Sequence, residues 1–419
     1  MGLKRSFVIY TASSILASAL PLALLPMMTR ELSTAEYGIV ATMTTLIAFF
    51  TPPMIWGAPS LVAVEHSKLD AAQFRNFLTS VLVIPLVSLL LCSAIAAVAA
   101  PWVAPHLEVP AVWFAAVPLM AALGVLPQVL SAVLRMRNAA FSFGVLELTT
   151  AASTVLLSLL FVVGLHWHWQ GRMYAYLLTS GLMSLVAAGW LLRHGFLRSG
   201  AIRPYVRESL RFGAGLLPHD LGNQAIRLAD RLFLVTMVGL AGAGQYAVAA
   251  QVTGVVMVAM AAFNRAWAPY LFPRLQDATP ETRREIVRMS YLIIAGFAVF
   301  FVLFNLAAPH AYRFFIDPKF HPSLAYVGWL TVGYFFSSIY MTYIDYIFYV
   351  KKTHVLSVIT SLNMAINLSL NYVLIGAFGP IGAAYAFAAT MFIVMLLAFF
   401  LSNKLFPMPW FYWLRRAAS

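Results

Sequence analysis

Asn76-Phe77-Leu78-Thr79-Ser80-Val81-Leu82-Val83-Ile84-Pro85-Leu86-Val87-Ser88-Leu89-Leu90-Leu91-Cys92-Ser93-Ala94-Ile95-Ala96-Ala97-Val98-Ala99-Ala100 carries no charge over its whole length. At about 1.5 Å per residue such a stretch makes a helix longer than the ~30 Å hydrocarbon layer of a bilayer. Outward from it, further apolar runs fall at 7–28, 38–64, 111–133, 142–164, 173–192, 212–239, 245–270, 289–308, 324–350, 355–377 and 380–402. Together these predict an all-α integral membrane protein of twelve transmembrane helices. Runs of this length are unlike the alternating ~10-residue strands of an outer-membrane barrel.

Composition agrees. Of 419 residues 62% are hydrophobic and 10% charged, against about 45–50% and about 25% in soluble domains. A water-soluble enzyme, a disordered chain and a disulfide scaffold are excluded. The one cysteine, Cys92, lies within an apolar run, so neither a disulfide framework nor a cysteine metal site is expected. Met1 to Ser6 formally fits a myristoylation pattern, and Lys4-Arg5 before an apolar run resembles a signal peptide. The run 7–28 is longer than a signal core and lacks a small-residue cleavage site, so it is read as an uncleaved first span.

A net charge of +13 would suggest nucleic acid in a soluble protein. Here the bases mark topology, and no nucleic-acid partner is expected. With the N-terminus cytoplasmic, the loops on that side hold Lys4 and Arg5, Lys68 and Arg75, and Arg135 and Arg137. They also hold the five arginines from Arg193 to Arg211, the four from Arg274 to Arg288, Lys351 and Lys352, and Lys404, Arg415 and Arg416. The opposite side holds only Arg30, Arg172, Arg313 and Lys319. This positive-inside bias fixes an orientation with both termini cytoplasmic. The longest basic loop separates six spans from six. Glu36-Tyr37-Gly38-Ile39-Val40-Ala41-Thr42 and Gln245-Tyr246-Ala247-Val248-Ala249-Ala250-Gln251 open the second and eighth spans alike. Two six-helix bundles, residues 1–204 with the linker and residues 205–419, are therefore expected as parallel pseudo-repeats, with a central cavity between them. Prolines within spans either open that cavity or are tolerated kinks.

Ionisable residues at membrane depth point to function. In the seventh span Asp220, Gln224, Arg227 and Arg231 are spaced 4, 3 and 4 apart, on one helical stripe. Arg227 is the candidate anion ligand, because a guanidinium forks onto phosphate oxygens and stays charged when desolvated. The alternative is an internal ion pair with Asp230 or Asp220. Arg265 either joins the pathway or snorkels to the interface. Arg30 with Glu31 forms a gate pair or an interfacial anchor. Glu147 and Asp345 lack a basic neighbour within a helical turn, so each is a neutral hydrogen-bonded acid or a proton carrier for coupling. Asn363, Asn367 and Asn371 share one face of the eleventh span, as packing contacts or as ligands for sugar. No nucleotide-binding motif, metal-ligand set or nucleophile constellation appears, and His166 and His168 in an outer loop are too few for a metal, so no cofactor is expected.

The residues Pro26-x-x-Thr29-Arg30-Glu31-Leu32-Ser33-x-x-Glu36-Tyr37-Gly38 resemble the opening of bacterial polysaccharide transporters, the O-antigen and exopolysaccharide repeat-unit flippases. The similarity continues through Arg211-Phe212-Gly213, Leu217-Pro218-His219, Asp230 to Leu234, Tyr246 to Gln251, Phe263 to Pro269, Asn367 to Asn371 and Gly379 to Ala384, with little signature between Ser60 and Gly200. The resemblance extends to the larger group of multidrug exporters and lipid II flippases. It implies alternating access across a cationic cavity in the bacterial inner membrane. The implied substrate is a polyprenyl-pyrophosphate-linked oligosaccharide moved from the cytoplasmic to the periplasmic leaflet. Arg227, Arg231 and Arg265 suit its pyrophosphate, and Gln224 and Asn367 its sugars. Asp220, Asp230, Glu147, Asp345 and Arg30 are candidates for coupling or gating. Implied partners are membrane lipids, a polysaccharide polymerase and glycosyltransferases. A drug or cation antiporter of the same fold should line its cavity with acids, whereas the stripe holds two arginines to one aspartate. A membrane polymerase or ligase should need a larger outer loop than His310 to Ser323.

Overall fold

A computed structural model describes residues 3–66, 68–197, 202–276, 279–350 and 352–411. The architecture is all-α: among the described residues every element is a helix, and the chain divides by packing into two compact units, Met1–Gly244 and Gln245–Ser419. The division falls one helix later than the repeat boundary expected at residue 204.

The first unit is built from α1 (Leu3–Ala23), α2 (Leu25–Glu31), α3 (Thr34–Ile55), α4 (Ala58–Glu65), α5 (Ala71–His106), α6 (Ala111–Leu123), α7 (Val125–Met136), α8 (Ala140–Ser158), α9 (His168–Arg193) and α10 (Arg203–Val238). The short members are broken halves of single rods. α1 gives way to α2 at Leu24, just ahead of Pro26, where proline lacks the N–H the helix needs. α3 ends after Pro52 and Pro53 at Trp56 and Gly57, both left-handed with φ 45° and 66°. Gly124 separates α6 from α7. α8 runs on as a π-helical turn, Leu159–Gly164. Where rods start afresh, side chains satisfy the exposed N–H groups: Ser33 and Glu36 form a reciprocal capping box on α3, as do Asp70 and Gln73 on α5.

α11 (Leu240–Gln276) begins in the first unit and continues through the second. The second unit also holds α12 (Pro280–Phe315), a 3-10 turn (Pro318–Ser323), α13 (Leu324–Tyr349), α14 (Thr353–Phe378) and α15 (Ile381–Leu405). Among the described residues, ten helical rods are long and apolar enough to cross a membrane. The expected seventh and eighth spans, α10 and α11, are helices of 36 and 37 residues outside those ten. α10 is long enough, but its centre is polar.

Lipid is as apolar as a leucine side chain, so helix association inside a bilayer relies on close fit. The structure places small residues where backbones meet. In the first unit a Cβ on Gly38 would strike the carbonyl of Leu240, and one on Gly244 that of Thr34. In the second, α13 and α14 both pack along α15, whose buried face is Gly382, Ala383, Ala384, Ala386 and Ala388. One end of that unit is closed by aromatic rings: Trp410 meets Tyr343 edge-on at 5.2 Å, and its carbonyl accepts from the Tyr291 hydroxyl at 2.6 Å.

Candidate functional site

α10 is seated on α3, α4 and α5 of its own unit. The seat is tight at Gly213, where a Cβ would stand 2.7 Å from the Trp56 carbonyl oxygen and 2.8 Å from its ring. Beyond that contact the helix presents the stripe of Asp220, Gln224, Arg227 and Arg231. Over eleven residues the stripe spans roughly 16 Å.

The two arginines are used differently. Arg231 is part-buried, and its Nη1 donates to the carbonyl oxygen of Ala243 at 2.9 Å. This bond crosses the turn at Gly239, which has φ +89°, and ties α10 to the first turn of α11. Arg227 is exposed, and its Nε donates to the Gln224 side-chain oxygen at 3.1 Å. Its described partner is therefore a neutral amide. Among the described residues no carboxylate pairs with Arg227, and the internal ion pairs with Asp220 or Asp230 weighed from sequence are not formed. Asp220 is half-buried, and Asp230 has interactions of its own. The side chains of Arg265 and His219 lie outside the described ones.

A second polar locus lies wholly within the first unit. Glu147 on α8 accepts a hydrogen bond from Ser131 on α7 at 2.8 Å. Both line a cavity of about 550 Å³ walled by α1, α4, α7, α8 and α9. Sequence reading singled out Glu147 but neither Ser131 nor the cavity. The signal was present only as hydroxyl residues at three- and four-residue spacing on separate spans.

The candidates of the second unit sit among packed helices. Asp345 on α13 is 5% exposed, and its Oδ2 is buried without a hydrogen-bond partner among the described residues. Asn367 on α14 is buried, and its backbone carbonyl accepts from Asn371 Nδ2 at 3.0 Å. The side-chain oxygens of Asn363 and Asn367 are buried without partners among the described residues. Part of the asparagine ladder thus runs along its own helix.

At the end of the first unit opposite its basic loops, Arg30 is exposed and has interactions of its own. The neighbouring glutamates face histidines: Glu31 lies 3.7 Å from His166, and Glu36 lies 3.2 Å from His168. Two His–Glu pairs therefore join the end of α2 and the first turn of α3 to the start of α9. Sequence reasoning dismissed these histidines as metal ligands and did not find this pairing. Arg172, read as an outer-side base, donates to the Ser158 hydroxyl at 2.6 Å and so braces α9 against α8.

Residues 3–276 match the model of a family described as polysaccharide biosynthesis protein. No curated protein matches the chain. Several solved structures share its fold. An inward-facing multidrug resistance MATE family transporter of the MOP superfamily is 15% identical, with a TM-score of 0.70 over 95% of this chain and 94% of its own. The lipid II flippase MurJ in an inward closed conformation is 13% identical, with a TM-score of 0.72 over 94% and 87%. A Vibrio cholerae MATE transporter is 14% identical, with a TM-score of 0.57 over 96% of each chain. At these identities the likeness is one of fold, that of the MOP transporters.

Proposed function

The chain belongs to the polysaccharide biosynthesis protein family, and we propose that within it this protein is a flippase. It carries polyprenyl-pyrophosphate-linked oligosaccharide repeat units from the cytoplasmic to the periplasmic leaflet of a bacterial inner membrane by alternating access. The observation that supports this most is Arg227: an exposed guanidinium, well along a long helix, whose described partner is the neutral Gln224. An uncompensated cation in a membrane protein is costly unless a ligand neutralises it. A pyrophosphate offers paired oxygens that match the guanidinium fork, and Gln224 holds that fork in place.

Arg231 contributes by fixing where α10 ends, and Arg265 and Asn367 are further contacts along the path. Coupling falls to the carboxylates Asp345, with one buried oxygen unpartnered among the described residues, Asp220 and Asp230, while Arg30 guards the outer end. Both termini and the basic loops face the cytoplasm, where glycosyltransferases assemble the lipid-linked glycan, and a polymerase consumes it on the far side. The protein itself makes and breaks no covalent bond.

The test is Arg227→Ala beside Arg227→Lys in the native host, scored by surface polysaccharide at matched protein level. Loss in the alanine variant, with partial recovery in the lysine one, is expected. Undiminished display in Arg227→Ala would sink the anion site.

A further inference from the structure

The cavity inside the first unit has a chemistry distinct from the arginine stripe. Its charged lining residues are Glu147 and Arg135, one acid and one base. They balance, so neither an anion nor a free cation is favoured without facing a like charge. The rest of the polar wall is hydroxyl and amide. Three of those hydroxyls donate to their own helices: Ser18 to the Ser14 carbonyl at 2.8 Å, Thr150 to Leu146 at 2.7 Å and Thr154 to Thr150 at 2.8 Å. Each of these oxygens keeps lone pairs, so this part of the wall presents acceptors. Gln128 donates one amide hydrogen to the Gly124 carbonyl at 3.2 Å and keeps its side-chain oxygen as an acceptor.

A wall of acceptors around a balanced charge pair asks for a neutral ligand dense in O–H donors. Thr179 gives an independent sign of one. It lines the cavity at 1% exposure, and its Oγ1 is buried with no hydrogen-bond partner among the described residues. An unmade hydrogen bond at a buried hydroxyl is unfavourable, and a bound sugar hydroxyl, donor and acceptor both, recovers it. Tyr176 adds a ring to the lining, a flat surface of the kind that sugar C–H faces stack upon. At about 550 Å³ the space falls within the usual range for small-molecule sites, ~300–1,000 Å³.

We infer that this cavity within the first unit is a saccharide site, taking a sugar ring of the transported glycan, with Glu147 and the acceptor wall reading its hydroxyl protons. The inference deepens the flippase reading and rests on it for the source of the sugar. In this division Arg227 meets the charged pyrophosphate and the cavity meets neutral sugar, so Glu147 is held by Ser131 as a specificity group.

The experiment uses the full chain in lipid nanodiscs. Intrinsic tryptophan fluorescence and thermal unfolding are followed while glucose, galactose, rhamnose, N-acetylglucosamine and N-acetylgalactosamine are titrated, and separately while choline chloride is exchanged for sodium chloride. At least one sugar should bind saturably, and Glu147→Gln and Thr179→Val should each raise its Kd about tenfold, with Arg227→Ala unchanged. Thr154→Val serves as a second wall variant should either fail to fold. The inference is overturned if no sugar binds, or if binding is the same in all three wall variants. It is also overturned if sodium, and no sugar, stabilises the wild type in a Glu147-dependent way. Polysaccharide display in the Arg227 variants reads the flippase function separately. Display that depends on Arg227, with no sugar bound here, leaves that function standing and removes this site.

Discussion

Replacing Arg231 by Gln separates the structural arginine of the stripe from the proposed ligand. The change keeps length and polarity but removes the charge-assisted bond to the Ala243 carbonyl at 2.9 Å. Such a bond contributes about 1.5–3 kcal/mol. For domains of about 150–250 residues each kcal/mol moves the melting point by roughly 2–4 °C. Arg231→Gln should therefore melt about 3–12 °C below the wild type. Arg227→Gln is the internal control. It loses one exposed bond to a neutral amide, a change of about 0.5 kcal/mol or less, and should melt within ~2 °C of the wild type. The assay is thermal unfolding of the purified proteins in one detergent at one concentration, followed by tryptophan fluorescence. If Arg231→Gln melts with the wild type, the bond across the Gly239 turn holds nothing and the stripe must be read again. Equal losses in both variants would likewise refute the division of labour.

Four other outcomes follow from the geometry. Gly244→Ala sets a methyl against the Thr34 carbonyl and should destabilise by about 1–3 kcal/mol, visible as lowered yield and melting point. Asp70→Ala frees the Ala72 and Gln73 N–H groups that its carboxylate accepts at 2.9 and 2.8 Å, costing about 0.5–2 kcal/mol of unfolding free energy. Asp345→Asn removes a charge whose Oδ2 is buried without a partner among the described residues; it should leave the melting point equal or higher while polysaccharide display falls, and intact display would remove Asp345 from the coupling path. In a Cys92→Ser background, Leu165→Cys should react with an impermeant maleimide in intact cells and His194→Cys only after permeabilisation; the reverse pattern would invert the topology.

Much of the architecture could be read from the chain because membrane burial leaves an uninterrupted trace: a run such as 76–100 has few other uses. The stripe on α10 was equally open, since 4-3-4 spacing is enforced by helical geometry alone. The roles along that stripe were hidden. Arg231 satisfies a backbone carbonyl beyond a glycine turn, and any residue at 243 would have supplied it. Arg227 could have paired with Asp220 or Asp230 by spacing, but in the structure it takes the neutral Gln224. The cavity was hidden for another reason. Ser18, Ser131, Glu147 and Thr179 come from four helices far apart in sequence, and each alone looks like a hydroxyl or acid tolerated in a span. Chain breaks were half visible: prolines mark α2 and the end of α3, while the α6–α7 break falls at Gly124, six residues after Pro118.

The polarity of α10 also bears on how the protein is made. Each charged side chain near a helix centre adds about 2.5–3.5 kcal/mol to the cost of leaving the translocon for lipid. α10 carries Asp220, Arg227, Asp230 and Arg231, so as an isolated segment it would resist insertion. Its seat, Trp56 at the end of α3 against Gly213, belongs to helices synthesised before it. Biogenesis should then be ordered, with the first nine helices already folded into a partner that receives α10 protein-to-protein. A chain truncated after Val238 should integrate its last helix, and the same helix fused behind an unrelated apolar span should not.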